Sequence, residues 1–112
     1  LDFQFLGTSA GIPTKTRNVT ALAIGQTASK PWLLVDCGEA TQQQILQTPW
    51  STNTLSAICI THVHGDHCYG LPGMLASAGL NKRTQPLTII APLPLWQWLQ
   101  HTIALTDLYL SF

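Results

Sequence analysis

Apolar residues in the first half of the chain follow two patterns that are typical of strands. Residues 1–7, LDFQFLG, alternate apolar and polar positions before a glycine-rich turn, and residues 19–25, VTALAIG, alternate more loosely. Alternation with a period of two predicts strands with one buried face. Residues 32–38, WLLVDCG, and 55–62, LSAICITH, are nearly continuous apolar runs. Such runs predict strands that are buried on both faces.

Helices and one further strand are predicted in the remaining segments. Residues 39–48, EATQQQILQT, are rich in helix formers, and residues 71–80 and 92–105 have helix-like patterns with prolines near their starts. The segment PLTIIAP, at 86–92, predicts a fifth strand between the last two helices. The resulting order, β-β-β-α-β-α-β-α, predicts an α/β fold in which helices cover one face of a mixed sheet. We find no linker or internal repeat, so one domain or part of one is expected.

The composition is apolar for a chain of this length. Of 112 residues, 46% are hydrophobic, whereas only 5 are Lys or Arg and 5 are Asp or Glu. So few charges predict that some of the surface packs against further protein, either a partner chain or the rest of the same polypeptide. The start at Leu1 rather than Met favours a piece of a longer protein. A net charge of zero gives no overall basic field, so nucleic-acid binding would need a local cluster.

The cysteines and the lengths of the apolar runs indicate the cellular compartment of the protein. The chain has 3 cysteines, Cys37, Cys59 and Cys68, in apolar surroundings and without short spacing. An odd number without a disulfide-like pattern favours a reducing cytoplasm. No apolar run approaches the roughly 20 residues of a membrane span, and the start does not resemble a signal segment. We therefore expect a soluble cytoplasmic protein that does not bind a membrane.

The segment ITHVHGDH concentrates residues that bind metals. His62 and His64 are two positions apart directly after a predicted strand, so in extended backbone both imidazoles point to the same side. Gly65 permits a sharp change of direction, after which Asp66 and His67 can turn toward the same cavity. Imidazole nitrogen suits zinc and other borderline metals, and a carboxylate can bind a metal, bridge to a second one or orient a bound water. The segment therefore predicts a metal site, for zinc or another borderline metal.

Other candidate ligands are weaker. Cys59 and Cys68 flank the cluster, and a closed structural zinc site usually uses thiolates. Cys59 falls inside a predicted buried strand, however, and Cys68 would need a tight reversal to reach the site, so both are predicted as small core residues. His101 lies in a predicted helix, where an exposed or helix-packed histidine is the commoner case. We leave these three residues out of the site.

The cluster and its surroundings resemble a known family. The HxHxDH motif of the metallo-β-lactamase superfamily is matched by His62, His64, Asp66 and His67. FLGTSAGIPTKTRNVTA near the start, then DCGEATQ and THVHGDHCYGLPGML, resemble the bacterial short-form tRNase Z, or ribonuclease Z. The resemblance covers nearly the whole chain but only the N-terminal part of such an enzyme. It implies that residues 1–112 are the N-terminal half of a metallo-β-lactamase-type αββα sandwich, without its C-terminal half.

The resemblance assigns roles to the cluster. It implies that His62 and His64 bind one zinc, that Asp66 and His67 bind a second, and that the remaining ligands come from downstream segments. Two zinc ions would clamp a phosphodiester in the complete site. Asp66 is also the expected proton acceptor, because an adjacent carboxylate can orient the attacking water. Asp36 is implied to hold the histidine loop in place, although an ordinary Asp between a strand and a turn is an alternative.

The resemblance also implies the substrate. PTKTRN, at 13–18, is similar to the PxKxRN loop of the family, which implies that Lys15, Arg17 and Asn18 contact the 3′ end of precursor tRNA. A lysine and an arginine can position a phosphate backbone, and the asparagine can bond a base edge or cap the turn. For Lys15 alone, a solvated basic turn is the alternative. By the same resemblance, the intact enzyme is expected to be a homodimer.

Three functions are compatible with the sequence. The first is a zinc-dependent endoribonuclease that removes 3′ trailers from precursor tRNA, which accounts for both HxHxDH and PTKTRN. The second is another hydrolase of the superfamily, acting on a small phosphodiester or ester, which would need no basic loop. The third is an inactive metal-binding module, because four ligands cannot fill two zinc coordination spheres.

Overall fold

The sheet of this chain is mixed. The computed structural model describes residues 1–27, 30–108 and 110. Within them, the strands are β1 (Asp2–Gly7), β2 (Ala21–Gly25), β3 (Trp32–Val35), β4 (Leu55–Cys59) and β5 (Thr88–Ile90). They form one sheet in chain order. β1 pairs with β2 and β2 with β3 in antiparallel register, whereas β3 pairs with β4 and β4 with β5 in parallel register. The mixed sheet predicted from the element order is confirmed.

The helices follow the predicted pattern with one addition. They are α1 (Thr41–Leu46), α2 (Gly65–Cys68), α3 (Leu71–Leu80) and α4 (Leu93–Leu105). The α2 helix was not predicted, because a single turn is too short to show a 3.6-residue period. The α1 helix begins later than predicted, since Ala40 has a left-handed φ of 63°. No helix in the described part of the chain is both long and apolar enough to cross a membrane.

The core lies between one face of the sheet and the helices. Buried strand residues alternate with partly exposed ones, so each strand contributes one side to the core. Full burial of a leucine or isoleucine stabilises the fold by roughly 1.5–3 kcal/mol relative to leaving it exposed. The cluster includes Trp32, Leu34 and Ile58 from the sheet with Ile45, Leu71, Leu75, Leu95 and Leu99 from the helices.

The opposite side of the sheet is apolar but open, and we call it the apolar sheet face. Residues that are paired directly across neighbouring strands lie side by side on the same face of the sheet. Phe3 and Phe5 are 65% and 70% exposed, and Ile90 is 59% exposed. The apolar runs of β3 and β4, predicted to be buried on both faces, are only half-buried here, because the helices pack on the other side. The face comprises Phe3, Phe5, Leu22, Ile24, Leu33, Val35, Ala57, Cys59 and Ile90.

Strand direction brings three loops to one edge of the sheet. β3 and β4 are parallel, and β1 runs in the same direction because two antiparallel pairings separate it from β3. The carboxyl ends of β1, β3 and β4 therefore meet at the same edge. Loops after the carboxyl ends of such strands form the ligand crevice of many α/β folds. The HxHxDH segment at 62–67, which we call the histidine motif, and the PTKTRN segment at 13–18 both lie in these loops.

Candidate metal centre

Asp36, the residue directly after β3, has an unusual backbone conformation. Its φ is 62°, in the left-handed region, and the residue is only 4% exposed. Its N–H still donates to the carbonyl of Cys59 at 2.8 Å, so the pairing with β4 extends to this residue. Aspartate tolerates left-handed backbone better than most residues, yet the conformation is still less favourable than the extended one. Such strain at a buried carboxylate is typical of a functional position.

The Asp36 carboxylate holds the histidine motif directly. Oδ1 accepts the backbone N–H of Thr61 at 2.8 Å, and both oxygens accept the Thr61 hydroxyl at 2.9–3.0 Å. Oδ2 lies 2.7 Å from Nδ1 of His67. Since an ionised carboxylate only accepts, Nδ1 of His67 carries hydrogen in this contact, and in the neutral ring Nε2 is then the atom with a lone pair for a metal. These contacts give Asp36 the supporting geometry that the family resemblance implies.

The three imidazoles of the motif lie together. The ring centroid of His62 is 4.7 Å from that of His64 and 3.9 Å from that of His67. His62 follows β4, His64 precedes the first turn of α2, and His67 lies within it. The three rings meet because α2 folds back on the end of the strand. Within residues 1–27, 30–108 and 110, however, no three His, Cys, Asp or Glu side chains form a ready metal cage.

The Asp66 carboxylate is held by the loop between β1 and β2. The backbone N–H of Gly11 donates to Oδ2 at 3.1 Å, and Nε2 of His67 lies 3.3 Å from the same oxygen. The hydrogen bond from the Gly11 N–H is the main cause that lowers the pKa of Asp66 below its ordinary value of 3.8. The carboxylate therefore stays ionised at neutral pH and can serve as a ligand or as a proton acceptor.

The loop after β3 clamps α2 in place. The N–H of Cys37 donates to the carbonyl of His67 at 2.8 Å, and the N–H of Gly70 donates to the carbonyl of Cys37 at 3.0 Å. A Cβ on Gly38 would lie 2.4 Å from the carbonyl oxygen of Asp66, so only glycine permits this approach. The DCGE segment thus fixes the position of the histidine motif through its backbone.

Two of the cysteines behave as core residues. Cys37 and Cys68 are 0% and 3% exposed and belong to the hydrophobic cluster. Burial raises the pKa of the Cys37 thiol to about 12 and raises that of Cys68 as well, so neither is readily a thiolate. Cys59 lies on the apolar sheet face. His101, which the sequence placed outside the site, is exposed on α4.

Residues 8–18, which we call the basic loop, are closed by backbone hydrogen bonds. The N–H of Ser9 donates to the carbonyl of Asn18 at 2.8 Å, and that of Thr14 donates to the carbonyl of Arg17 at 2.7 Å. Asn18 also donates its side-chain N–H to the carbonyl of Glu39 at 2.7 Å. Lys15 and Arg17 are exposed at the tip. The loop is therefore an ordered platform for two cations, and the Asn18 amide anchors it.

Two residues of this edge were not singled out from the sequence. Thr61 contacts both Asp36 and Nδ1 of His62, and its position beside the first histidine of the motif was a usable indication. Gly11 contacts Asp66 across 55 residues of sequence, and no local pattern indicates that pairing. Both contacts depend on the three strand ends meeting at one edge.

The donor chemistry of the cluster fits zinc. Nδ1 of His62 and of His67 each has a hydrogen-bond partner, so in the neutral rings Nε2 is the atom that can bind a metal, and Nε2 of His67 already faces the Asp66 carboxylate at 3.3 Å. Histidine nitrogens beside an ionised carboxylate are the ligand types of catalytic rather than structural zinc sites. The structure brings together His62, His64, Asp66 and His67 at one sheet edge, with Asp36 behind them. Lys15, Arg17 and Asn18 lie in the basic loop, which reaches the cluster through Gly11.

Comparison with known proteins places the chain in a family. A family model described as "Anti-Pycsar protein Apyc1" matches residues 1–105. The chain belongs to this family. The matched range spans the basic loop, the DCGE segment at 36–39 and the HxHxDH motif at 62–67.

Curated and solved relatives confirm the resemblance to ribonuclease Z. "Ribonuclease Z" of Pseudomonas putida strain GB-1 is 56% identical over 112 residues, which are 100% of this chain and 35% of the relative. The crystal structure of human tRNase Z, short form, is 36% identical with a TM-score of 0.91, over 100% of this chain and 43% of that one. This chain of the Apyc1 family thus spans about a third of the length of its curated relatives.

A more distant structure supports the fold alone. The metallo-β-lactamase fold protein YhfI from Bacillus subtilis is 21% identical with a TM-score of 0.71, over 86% of this chain and 41% of that one. The present chain has the metallo-β-lactamase fold class that the HxHxDH resemblance implies. Within it, the helices cover one face of the mixed sheet, as predicted.

Proposed function

We propose that the protein carrying this chain is a zinc-dependent endoribonuclease that removes 3′ trailers from precursor tRNA. The observation that carries the proposal is the identity of 56% with a ribonuclease Z over every residue of the chain. The geometry supports it independently, since a histidine and aspartate cluster lies at the same sheet edge as an ordered basic loop. A nuclease needs both a metal centre for the phosphodiester and cations for the flanking phosphates.

His62, His64, Asp66 and His67 would hold the zinc, with further ligands supplied from outside these residues. Bound zinc would activate water and stabilise charge on the phosphodiester. Asp66 has its Oδ2 fixed by the Gly11 N–H, so its orientation is set before substrate binds. In this arrangement Asp66 accepts the proton of the attacking water. Asp36 keeps the imidazoles oriented through its contacts with Thr61 and His67.

The basic loop would position the RNA. Lys15 offers a compact ammonium and Arg17 a planar guanidinium that can bond a phosphate through two N–H groups. Both are exposed, whereas Asn18 is partly buried and anchors the loop to Glu39. Phosphate contacts fix the register of an RNA without reading its sequence. We propose that this loop places the end of the tRNA body so that the trailer junction lies over the metal cluster.

The exposed apolar sheet face needs a cover in the intact protein. Further chain is proposed to complete the αββα sandwich by covering the apolar sheet face, which buries Phe3, Phe5 and Ile90. Residues 1–112 are then the N-terminal portion of one domain. A homodimer is proposed for the intact protein, and the free thiols of Cys37, Cys59 and Cys68 favour the cytoplasm.

A direct test compares two substrates for the full-length zinc-loaded protein. One is a precursor tRNA with a 3′ trailer, and the other is bis(p-nitrophenyl) phosphate, a small phosphodiester. Asp66→Ala is expected to abolish cleavage of both. Replacing Lys15 and Arg17 together with alanine is expected to lower the ratio of tRNA cleavage to small-diester cleavage at least tenfold, and to reduce the slope of log KM against log salt by roughly 2.

A matched control comes from the opposite sheet edge. Lys30 is an exposed cation that precedes β3, so Lys30→Ala should leave the ratio and the salt slope unchanged. Cleavage of the small diester without cleavage of precursor tRNA would favour the second candidate, a small-phosphodiester hydrolase. The small-phosphodiester hydrolase is kept as a second candidate because the family model is described as an anti-Pycsar protein, whereas the curated relatives are described as ribonuclease Z. If neither substrate were cleaved, a non-catalytic metal-binding module would be favoured.

A further inference from the structure

The Thr61 hydroxyl lies between a buried carboxylate and one imidazole of the cluster. Its Oγ1 is 2.9 and 3.0 Å from the two oxygens of Asp36, and 3.0 Å from Nδ1 of His62. The backbone N–H of Thr61 donates to Asp36 as well, at 2.8 Å. The residue is therefore held in place by its main chain independently of its hydroxyl. Its side chain is the link between Asp36 and His62.

Counting protons settles the direction of each hydrogen bond. A hydroxyl has a single hydrogen to donate, and an ionised carboxylate can only accept. A hydrogen bond to a charged acceptor is roughly twice as strong as one between neutral groups. The hydroxyl hydrogen of Thr61 therefore goes to Asp36, and the lone pairs of Oγ1 face His62. Because they can only accept, Nδ1 of His62 must carry the ring hydrogen.

We propose that Thr61 is a positioning residue that holds His62 in the tautomer with hydrogen on Nδ1. Nε2 then has a free lone pair for a metal, and the role of that lone pair as a zinc ligand rests on the proposed function above. In the opposite tautomer Nε2 would carry hydrogen and could not bind a metal. One buried carboxylate thus orients two imidazoles, His67 directly and His62 through the Thr61 hydroxyl.

Two substitutions isolate the hydroxyl. Thr61→Val keeps the β-branched shape and the backbone N–H to Asp36 but removes the bridge to His62. Thr61→Ser restores a hydroxyl at the same position. Thr48→Val is the matched control, because it also removes a threonine hydroxyl that donates a 2.7 Å hydrogen bond, in this case to Ile45 in α1. All three are made in the full-length protein.

The first measurement is the tautomer of His62 in zinc-free protein. Nitrogen-15 NMR of the imidazole rings, recorded well above the ordinary histidine pKa of about 6.5, distinguishes hydrogen on Nδ1 from hydrogen on Nε2. The wild type is expected to have hydrogen on Nδ1 of His62. Thr61→Val should shift the population toward Nε2, whereas Thr61→Ser and Thr48→Val should retain the wild-type signal. A purely structural role for Thr61 would not move this tautomer.

The second measurement is zinc affinity by competition with a chelator. Thr61→Val should weaken binding by roughly 10- to 100-fold, and Thr61→Ser should recover most of the loss. If the Val variant kept hydrogen on Nδ1 of His62, the inference would be overturned whatever its activity. If the wild type bound zinc but cleaved no RNA, the proposed function would fail while the tautomer result still decided the role of Thr61.

Discussion

The backbone N–H of Gly11 donates a hydrogen bond to Oδ2 of Asp66 at 3.1 Å. Gly11 belongs to the basic loop between β1 and β2, whereas Asp66 lies in α2 after β4. The contact therefore joins the loop that carries Lys15 and Arg17 to the carboxylate of the candidate metal centre. Gly11 can present its N–H in this direction because its φ is 77°, in the left-handed region.

Gly11→Ala is expected to destabilise the full-length protein by about 1 kcal/mol, because alanine strains left-handed backbone even where space is open. An added Cβ would meet no atom within 4 Å, so the effect is conformational rather than steric. Gly73→Ala is the matched control, since Gly73 lies inside α3 with the nearest atom 4.0 Å away. Gly73→Ala should stabilise the full-length protein by about 0.5–1 kcal/mol, because alanine favours helical backbone more than glycine does. Urea unfolding measures the change in the free energy of unfolding for both variants. If both substitutions changed it in the same direction, the conformational explanation would be contradicted.

Acid should remove part of the stability through Asp66. Its pKa in the folded protein is lowered below 3.8, first by the Gly11 N–H. A lowered pKa means that the folded state favours the ionised form, so the stabilisation is present above pH 3.8 and is lost as the pH falls through the folded value. In zinc-free protein, Asp66→Asn should therefore lose less stability than the wild type on acidification. Urea midpoints at neutral and acidic pH test this, and identical losses would refute it.

Arg83 is expected to be required for stability although it lies outside the site. Its guanidinium is buried and donates to the carbonyls of Thr52, Leu55, Gln85 and Pro86 at 2.7–3.1 Å. Burial lowers the pKa of this side chain. Lysine has no planar fork to reach four carbonyls.

Arg83→Lys should therefore destabilise the protein by about 2 kcal/mol, because the buried carbonyl of Leu55 and the three partly buried carbonyls lose charge-assisted hydrogen bonds. Chemical denaturation of the full-length protein measures the change. Lys30→Arg, at an exposed position, should stay within about 0.5 kcal/mol of the wild type. A similarly small effect at Arg83 would show that water replaces the guanidinium.

The apolar sheet face gives a prediction about the full-length protein. Phe5 is 70% exposed in this chain, so a substitution there should be mild if the face is open in the intact protein. If further chain covers the face, as proposed, Phe5→Ser should destabilise by about 3 kcal/mol. Leu105→Ser, at a residue 73% exposed on α4, should change stability by less than about 0.5 kcal/mol. Equal effects at the two positions would contradict coverage of the sheet.

Much of the fold could be predicted because the signals for it are local in sequence: the period of the apolar residues, and the residues that begin and end helices. The predicted helix at 71–80 has the observed bounds of α3, and the five strands lie where apolar alternation or runs placed them. The α2 turn was missed because four residues show no period, and α1 was predicted too long because a left-handed Ala40 is not visible in composition. In these cases the tertiary context decides the backbone conformation.

The candidate site was predicted only in part, for a similar reason. HxHxDH is a compact motif, so His62, His64, Asp66 and His67 could be proposed from spacing alone. The contacts of Thr61 with Asp36 and of Gly11 with Asp66 join segments 25 and 55 residues apart. Only the parallel arrangement of β3 and β4, with β1 in the same direction, brings those segments together.

The open apolar face also bears on the order in which the protein folds. The sheet and helices of this chain enclose a core of their own, in which Leu34 and Ile58 are fully buried. That layer can condense before any second layer reaches it. In the described part of the chain, Phe3 and Phe5 on β1 present an exposed apolar surface along one outer strand of the sheet, and unpaired outer strands readily recruit other chains. If further chain covers the sheet as proposed, self-association during synthesis is most favoured in the interval between condensation of this layer and arrival of that chain.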